Sequence, residues 1–404
     1  MQRKFFHIVC FSLCAMQFAQ AQTDSTVYKR VLELVNEAKK EYAPDKRTKI
    51  VALTQADAKT NQYYIESTVP QANAFIESQA KGLSANLHFN NLPDSTVGEK
   101  IYGVVNLSVA NFRTQPGNAS EMATQAILGT QVDILQKLQG DLRVRTPEGY
   151  ISYVPASSVV AMDKAALNAW KAKKKVIYTQ EFGKSYSKAD QSSQRVSDLV
   201  YGNILALESE GKSYYKVSYP DKRIAYLPKT EAVSFEQWLK TRSLNSDNVL
   251  ASARSMMGLP YLWGGTSVKG VDCSGFTKTA FYMNGYVIPR DASQQVLAGE
   301  AVDILGADGH FDAQKALKNL KPADLLFFAA GKNNNPNARV THVAMYIGNG
   351  EFIHAAGTVR INSMLKDASN YDDFQTRTVV AAKRYIGAQD AQIQKIQENP
   401  YYKP

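Results

Sequence analysis

A β-rich phrase that occurs twice limits the architecture more than any other feature of this chain. Gly149-Tyr150-Ile151-Ser152-Tyr153-Val154-Pro155 returns as Ile224-Ala225-Tyr226-Leu227-Pro228, an offset of 73 residues from Ile151 to Ile224, and a tryptophan-bearing helical stretch follows each copy, at Trp170 and Trp238. Short alternating runs broken by Gly, Pro and Asn are β texture, and the offset leaves room for one small barrel per copy. At 404 residues the chain has length for two to four domains. Residues 99–170 and 171–243 hold the two copies, 244–390 alternate helix-like and strand-like segments, and 391–404 form a C-terminal tail. Ahead of the copies, Val31, Leu34, Val35, Ala38 and Tyr42 recur at helical spacing until Pro44, so residues 22–98 read as a mainly helical cap, up to about Asn91.

The first residues place Arg3 and Lys4 before an apolar run from Phe5 to Phe18 that closes on Ala19-Gln20-Ala21, the pattern of an export signal over 1–21. The run is too short for a membrane anchor, and polar sequence follows it at once. Phe11-Ser12-Leu13-Cys14 lacks the small residues expected before a lipidated cysteine. The expectation is an exported protein of the periplasm or cell-wall space, with no stable membrane insertion once the signal is gone. Cys10 and Cys14 leave with the signal, so Cys273 is the lone thiol of the mature chain and an internal disulfide is excluded. The formal charge of +10 falls to +8 without Arg3 and Lys4 and is scattered along the chain. That balance suits an acidic polymer such as the cell wall. Export and the lack of a base-reading motif argue against nucleic acid. The sequence leaves the oligomeric state open.

The chemistry gathers around Cys273. Phe276, Thr279, Ala280 and Met283 follow it at helical spacing with Gly285 as a stop, which puts Cys273 at a helix N-terminus. Free N–H groups and the positive dipole end there favour thiolate and can hold an oxyanion. A buried apolar cysteine is the plain alternative, but Asp272, Ser274 and Gly275 make a purely apolar pocket a poor fit. A thiol nucleophile needs a base, and four histidines follow the signal: His88, His310, His342 and His354. His342 lies in the β-rich run Thr341 to Gly348 and His354 in Glu351 to Ala355, with Gly348-Asn349-Gly350 as the turn of a hairpin. A three-residue loop makes Ala344 oppose His354, so that the two histidines are diagonal neighbours on one face. A two-residue loop puts them on opposite faces. Chemistry therefore requires the longer loop or a bulge. His88 and His310 lack such a setting and read as ordinary histidines.

The run Tyr261-x-Trp263-Gly264-Gly265, Asp272-Cys273-Ser274-Gly275-Phe276, Pro289-Arg290-Asp291, Pro322 to Phe328, Thr341 to Gly348 and Phe352 to Ala355 resembles an NlpC/P60 catalytic domain from end to end. Ala323 stands where that family commonly has Gly, and about twenty residues between Val302 and Leu320 look inserted, in a place to shape the cleft. The resemblance implies an α+β, papain-like fold and hydrolysis of a γ-D-glutamyl–diamino acid bond in peptidoglycan stem peptides. By motif, Cys273 attacks, His342 takes the thiol proton and His354 orients His342. Tyr261, Trp263, Asp272, Ser274 and Arg290 fall among the residues around the substrate, although Tyr261 also fits as packing and Asp272 as a helix cap. No metal and no cofactor is called for.

Asn111 to Pro116 and Gly129 to Val132 resemble the opening of a bacterial SH3 domain, and the second copy resembles it more weakly. Such barrels fit a role in wall binding or substrate restriction, and equally a spacer. Two of them before an NlpC/P60 domain resemble a subgroup that trims free stem peptides with an unblocked L-Ala terminus. In that subgroup an acidic residue and a tyrosine of the first barrel hold the amine, positions matched here by Glu121 and Tyr150. Acyl transfer on lipids predicts a strongly apolar cleft, and an inactive wall-binding protein leaves a complete Cys273, His342, His354 set without a reason. Endopeptidase action on intact wall is the competing peptidase activity.

Overall fold

The computed structural model describes residues 26–331, 338–372 and 377–403. The export signal expected over 1–21 lies outside them. Two compact units are present, one ending at Gly98 and one beginning at Glu99. In the first, a helix over 26–42 is followed by strands Val51–Asp57 and Gln62–Ser67, helix Pro70–Gln79 and strand Asn86–Asn91. Val35 and Ala38 of the first helix pack with Ile65, Ala72 and Ile76.

The expectation of a mainly helical region up to Asn91 is therefore corrected: three strands form a sheet there, the first two antiparallel and the third parallel to the second. Tyr63 and Ile65 are buried while Tyr64 between them is exposed, the two-residue period of a half-covered strand. That period lasts only one short strand, and the polar turn Asp57 to Asn61 before it masks it.

The second unit opens with two seven-stranded sheets. In space the first runs Val159–Met162, Tyr102–Val105, Gln131–Leu138, Asp141–Arg145, Ile151–Pro155, Val109–Arg113, Met122–Ile127. The second runs Ala232–Ser234, Lys175–Tyr178, Ile204–Glu210, Tyr214–Ser218, Ile224–Pro228, Phe182–Tyr186, Arg195–Val200, which is the same order. The spacing of 73 residues holds strand by strand, as in Val109 and Phe182, Met122 and Arg195, Gln131 and Ile204. No insertion separates the strands of the two copies, so each core is specified by the same pattern. Helices Lys164–Ala172 and Phe235–Lys240 close the copies.

The rest of the unit sets helix Cys273–Met283 against a six-stranded antiparallel sheet whose centre is Leu325–Ala330, Val340–Gly348 and Glu351–Ala356. Alternation divides the sheet's two faces. Phe327, Val343 and Met345 share a core with Phe276 and Ala280 of the helix. Phe328, Ala344 and Phe352 share another with Ile304, Ala316 and Leu320. Those last three belong to the segment Val302–Leu320, so the apparent insertion covers the sheet's outer face. Its apolar residues hide that face from water, worth about 25 cal/mol for each Å² covered. Ala323 has φ +73°, a left-handed conformation that explains why Gly is common there in the family it resembles. Among the described residues no helix is long and apolar enough to cross a membrane.

Candidate active site

The helix that carries Cys273 starts because Asp272 caps it: its Oδ1 accepts from the Gly275 N–H at 2.7 Å. The plain alternative for Asp272 is thus real, and the carboxylate does more. Arg290 donates to both its oxygens, at 3.1 and 2.6 Å, and to Ser274 Oγ at 3.0 Å, while the Gly264 N–H reaches Oδ2 at 2.9 Å. Arg290, Asp272 and Ser274 are all buried. Removing one partner of such an ion pair leaves the other charge uncompensated, at a cost of about 3–5 kcal/mol. Gln295 completes the frame, accepting from Thr277 Oγ1 at 2.8 Å and donating to the Ser274 and Pro289 carbonyls.

The thiol itself is buried, and burial, followed by the Asp272 charge, pushes it up to about 12, against the N–H groups of Val343 and Ser274 and the charge of Arg290. The helix N-terminus was expected to favour thiolate. In the resting site desolvation outweighs it. Val343, whose N–H lies within electrostatic reach of the sulfur, directly follows His342. The Tyr261 phenol lies half-buried within electrostatic reach of Cys273 and Asp272, and its pKa is raised, chiefly by burial.

The hairpin resolves the register question by a bulge. Gly348 pairs with Glu351, which is the short Asn349-Gly350 loop, but a bulge at Ile347 shifts the ladder so that Tyr346 pairs with Phe352 and Met345 with Ile353. Continuing inward, Ala344 faces His354, and the two histidines share a face. His342 Nε2 and His354 Nδ1 are 2.9 Å apart, and His354 Nε2 is 3.0 Å from Asn362 Oδ1. Burial, then the facing His354 and Arg377, holds His342 well below the usual imidazole range. Burial and Arg377 bring His354 down to about 4. Burial thus pushes the thiol and both imidazoles in the directions that favour their neutral forms.

Sequence reasoning missed Asn362. Phe352 pairs with Asn362 and His354 with Arg360, so Asn362 is the diagonal neighbour of His354, found by the same rule that paired the histidines.

The first seven-stranded sheet reaches this site directly. Glu121 Oε1 accepts from Trp263 Nε1 at 2.8 Å, Thr124 Oγ1 accepts from Arg290 Nε at 2.8 Å, and Tyr150 Oη donates to Asp291 Oδ2 at 3.1 Å. Gln125 accepts from the Thr266 N–H at 3.0 Å. Gly264 lies so close to Met122 that a Cβ would sit 2.8 Å from its carbonyl oxygen. Glu121 and Trp263 are exposed, whereas Tyr150 is buried. In the tail 391–404, Tyr401 Oη donates to Asp133 Oδ2 at 2.6 Å and Lys171 Nζ donates to the Pro400 carbonyl at 2.8 Å, tying the tail to the first sheet and its helix. Nothing local in the sequence announces such a long-range contact. His88 pairs with Gln62 and stacks on Tyr64 within the N-terminal unit.

A family model described as "NlpC/P60 family" matches residues 258–379, and one described as "Bacterial dipeptidyl-peptidase Sh3 domain" matches 112–159. Among curated proteins the chain is 30% identical over 246 residues, 59% of its length and 68% of the relative's, to a gamma-D-glutamyl-L-lysine dipeptidyl-peptidase of Bacillus cereus. It is 28% identical over 292 residues, 69% of its length and 97% of the relative's, to dipeptidyl-peptidase 6 of Lysinibacillus sphaericus. Among solved structures, an NlpC/P60 family protein from Bacillus cereus superposes with TM-score 0.58 at 24% identity, over 70% of this chain and 99% of that one, a likeness of fold.

Proposed function

This chain belongs to the NlpC/P60 family, and from that premise we propose that it is a cysteine peptidase that cuts the γ-D-glutamyl–diamino acid bond of peptidoglycan stem peptides, releasing L-Ala-γ-D-Glu from peptides with a free amino terminus. We assign the parts as an SH3-like first copy, a second copy repeating it, and a catalytic region from about residue 244. Export carries the protein to the compartment that holds its substrate.

Cys273 Sγ attacks the γ-carbonyl carbon of D-Glu while His342 takes the thiol proton. Burial favours the neutral form of each partner, which suits proton transfer that accompanies attack. Backbone N–H groups at the start of the helix face the developing oxyanion. His342 then gives its proton to the leaving amine, and water hydrolyses the thioester. Asp272, Ser274 and Arg290 act here as the buried frame that holds the helix start.

The observation that supports removal of a dipeptide, rather than action within the wall, is that Glu121 and Tyr150 both bond to catalytic-region residues, Trp263 and Asp291. The first copy thus stands beside the nucleophile's motif with a carboxylate to receive an ammonium. Glu121 is exposed, so its pairing with an amine is screened by water and contributes about 1 kcal/mol. The test is turnover of L-Ala-γ-D-Glu-diamino acid peptides, free and N-acetylated. The free peptide should be cut at least about tenfold faster in kcat/KM, combining lost charge with added bulk. Cys273→Ala should lower kcat by about 10⁴-fold or more while the fold persists. Equal turnover of both peptides would point instead to an endopeptidase of intact wall.

A further inference from the structure

We infer that Asn362 is a positioning residue that fixes which nitrogen of each active-site imidazole carries its proton, with the Asn370 carbonyl as the anchor. The inference rests on the assignment of Cys273 and His342 as nucleophile and base.

A backbone carbonyl can only accept. The Asn370 carbonyl receives Asn362 Nδ2 at 2.9 Å and the Ser363 N–H at 3.0 Å, which orients the Asn362 amide with its oxygen toward His354. An amide oxygen also only accepts. His354 Nε2, 3.0 Å from it, must therefore carry a hydrogen. In a neutral ring Nδ1 is then bare, and the 2.9 Å contact to His342 Nε2 requires that nitrogen to be the donor. His342 Nδ1 is left as the lone pair that can accept a thiol proton.

The opposite arrangement fails at each link. A hydrogen on His354 Nδ1 would set the Nε2 lone pair against Asn362 Oδ1, and would place the hydrogen of His342 on Nδ1, where it cannot act as base. Three hydrogen bonds thus carry one polarity from a main-chain carbonyl to the base. The anchor is itself held, since Asn370 Nδ2 donates to Glu351 Oε1 at 3.0 Å. The charged groups facing the two rings are Arg377, Arg360 and Asp372, and the depressed imidazole basicity agrees with neutral rings.

The experiment reads imidazole nitrogen-15 shifts in the resting full-length protein at neutral pH, alongside steady-state kinetics on the free peptide. The wild type should show both rings with hydrogen on Nε2. Asn362→Leu should mix the His354 tautomers and lower kcat on the order of 10- to 100-fold with KM within about twofold. Asn362→Asp keeps an acceptor for His354 but sets an oxygen against the Asn370 carbonyl, so it should retain the tautomers and much of kcat even where it is the less stable variant. Its carboxylate also favours the His354 imidazolium, moving the acid limb of kcat to higher pH. A purely structural role would make activity follow stability and leave that limb in place. Hydrogen on His354 Nδ1 in the wild type, unchanged tautomers and kcat in Asn362→Leu, or activity that follows stability across the variants would each overturn the inference. The tautomers are read without turnover, so this result and the Cys273→Ala result fail separately.

Discussion

Met122–Ile127 in the first seven-stranded sheet and Arg195–Val200 in the second are the same strand of the same topology, yet they meet different surroundings. The first lies along Gly264, Thr266 and Arg290, the residues that frame the start of the Cys273 helix. The second offers Asp198 to Lys269 in a half-exposed ion pair that contributes little. At the positions 73 residues after Glu121 and Tyr150 the second copy has Gln194 and Arg223, so neither the carboxylate nor the phenol is repeated. A duplicated fold thus carries unduplicated chemistry. The strand pattern specifies the sheet, and the side chains left over after the core is filled specify what each copy can hold.

The largest expected effect separates the copies at one shared glycine. Gly129 and Gly202 sit at the same turn, with φ +86° and +89°. A Cβ on Gly129 would lie 2.3 Å from the Ile204 carbonyl oxygen, which is main chain of the second copy, whereas a Cβ on Gly202 would lie 2.6 Å from the Tyr282 ring. A ring can turn aside and a main chain cannot without moving its sheet. Gly129→Ala should cost about 3 kcal/mol in chemical denaturation and Gly202→Ala about 2 kcal/mol, a left-handed penalty of about 1 kcal/mol being common to both. Equal losses would show that the two turns are seated alike.

The next effect tests the chemistry instead of the seating. Glu121→Gln keeps an oxygen to accept from Trp263 and removes only the charge. It should lower kcat/KM on free-amine peptides about fivefold and leave N-acetylated peptides unaffected, the scale of a pairing worth about 1 kcal/mol. Gln194→Glu, the reciprocal change in the second copy, should alter neither. If both variants shift the ratio of free to acetylated turnover, the copies share the task.

Much of this was legible in the sequence because it depends on local pattern. The helix start at Cys273, the repeat and the order of the copies follow from spacing alone. The hairpin shows where such reasoning stops. Loop length gives one register and the chemistry another, and only the bulge at Ile347 reconciles them. The short polar strands before Asn91 were hidden by their brevity. The dipole at Cys273 is visible in sequence, whereas the burial that pushes the thiol the other way is a property of the packed whole.

The smallest effect concerns the C-terminal tail, which hydrogen-bonds to the first copy while its Ile396 packs with Ile177, Ile204 and Trp238 of the second. Tyr401 Oη donates to Asp133 at 2.6 Å, Asn399 Nδ2 to the Pro147 carbonyl at 3.4 Å and Lys171 Nζ to the Pro400 carbonyl at 2.8 Å. All of these partners lie on the first sheet, its connections or its helix. The second copy has Ala206 at the position matching Asp133, so the tail finds no equivalent acceptor there. Tyr401→Phe removes one hydroxyl and keeps the ring. Asp133 retains Arg145, 3.8 Å away, so its charge is not stranded, and the loss should be near 1 kcal/mol of stability. If the tail also holds the first copy beside Trp263, the preference for free over acetylated peptide should fall about twofold, because a loosened wall excludes bulk less well. Stability lost with preference intact would make the tail a fastening only, and preference lost without stability would place Tyr401 in the control of the cleft itself.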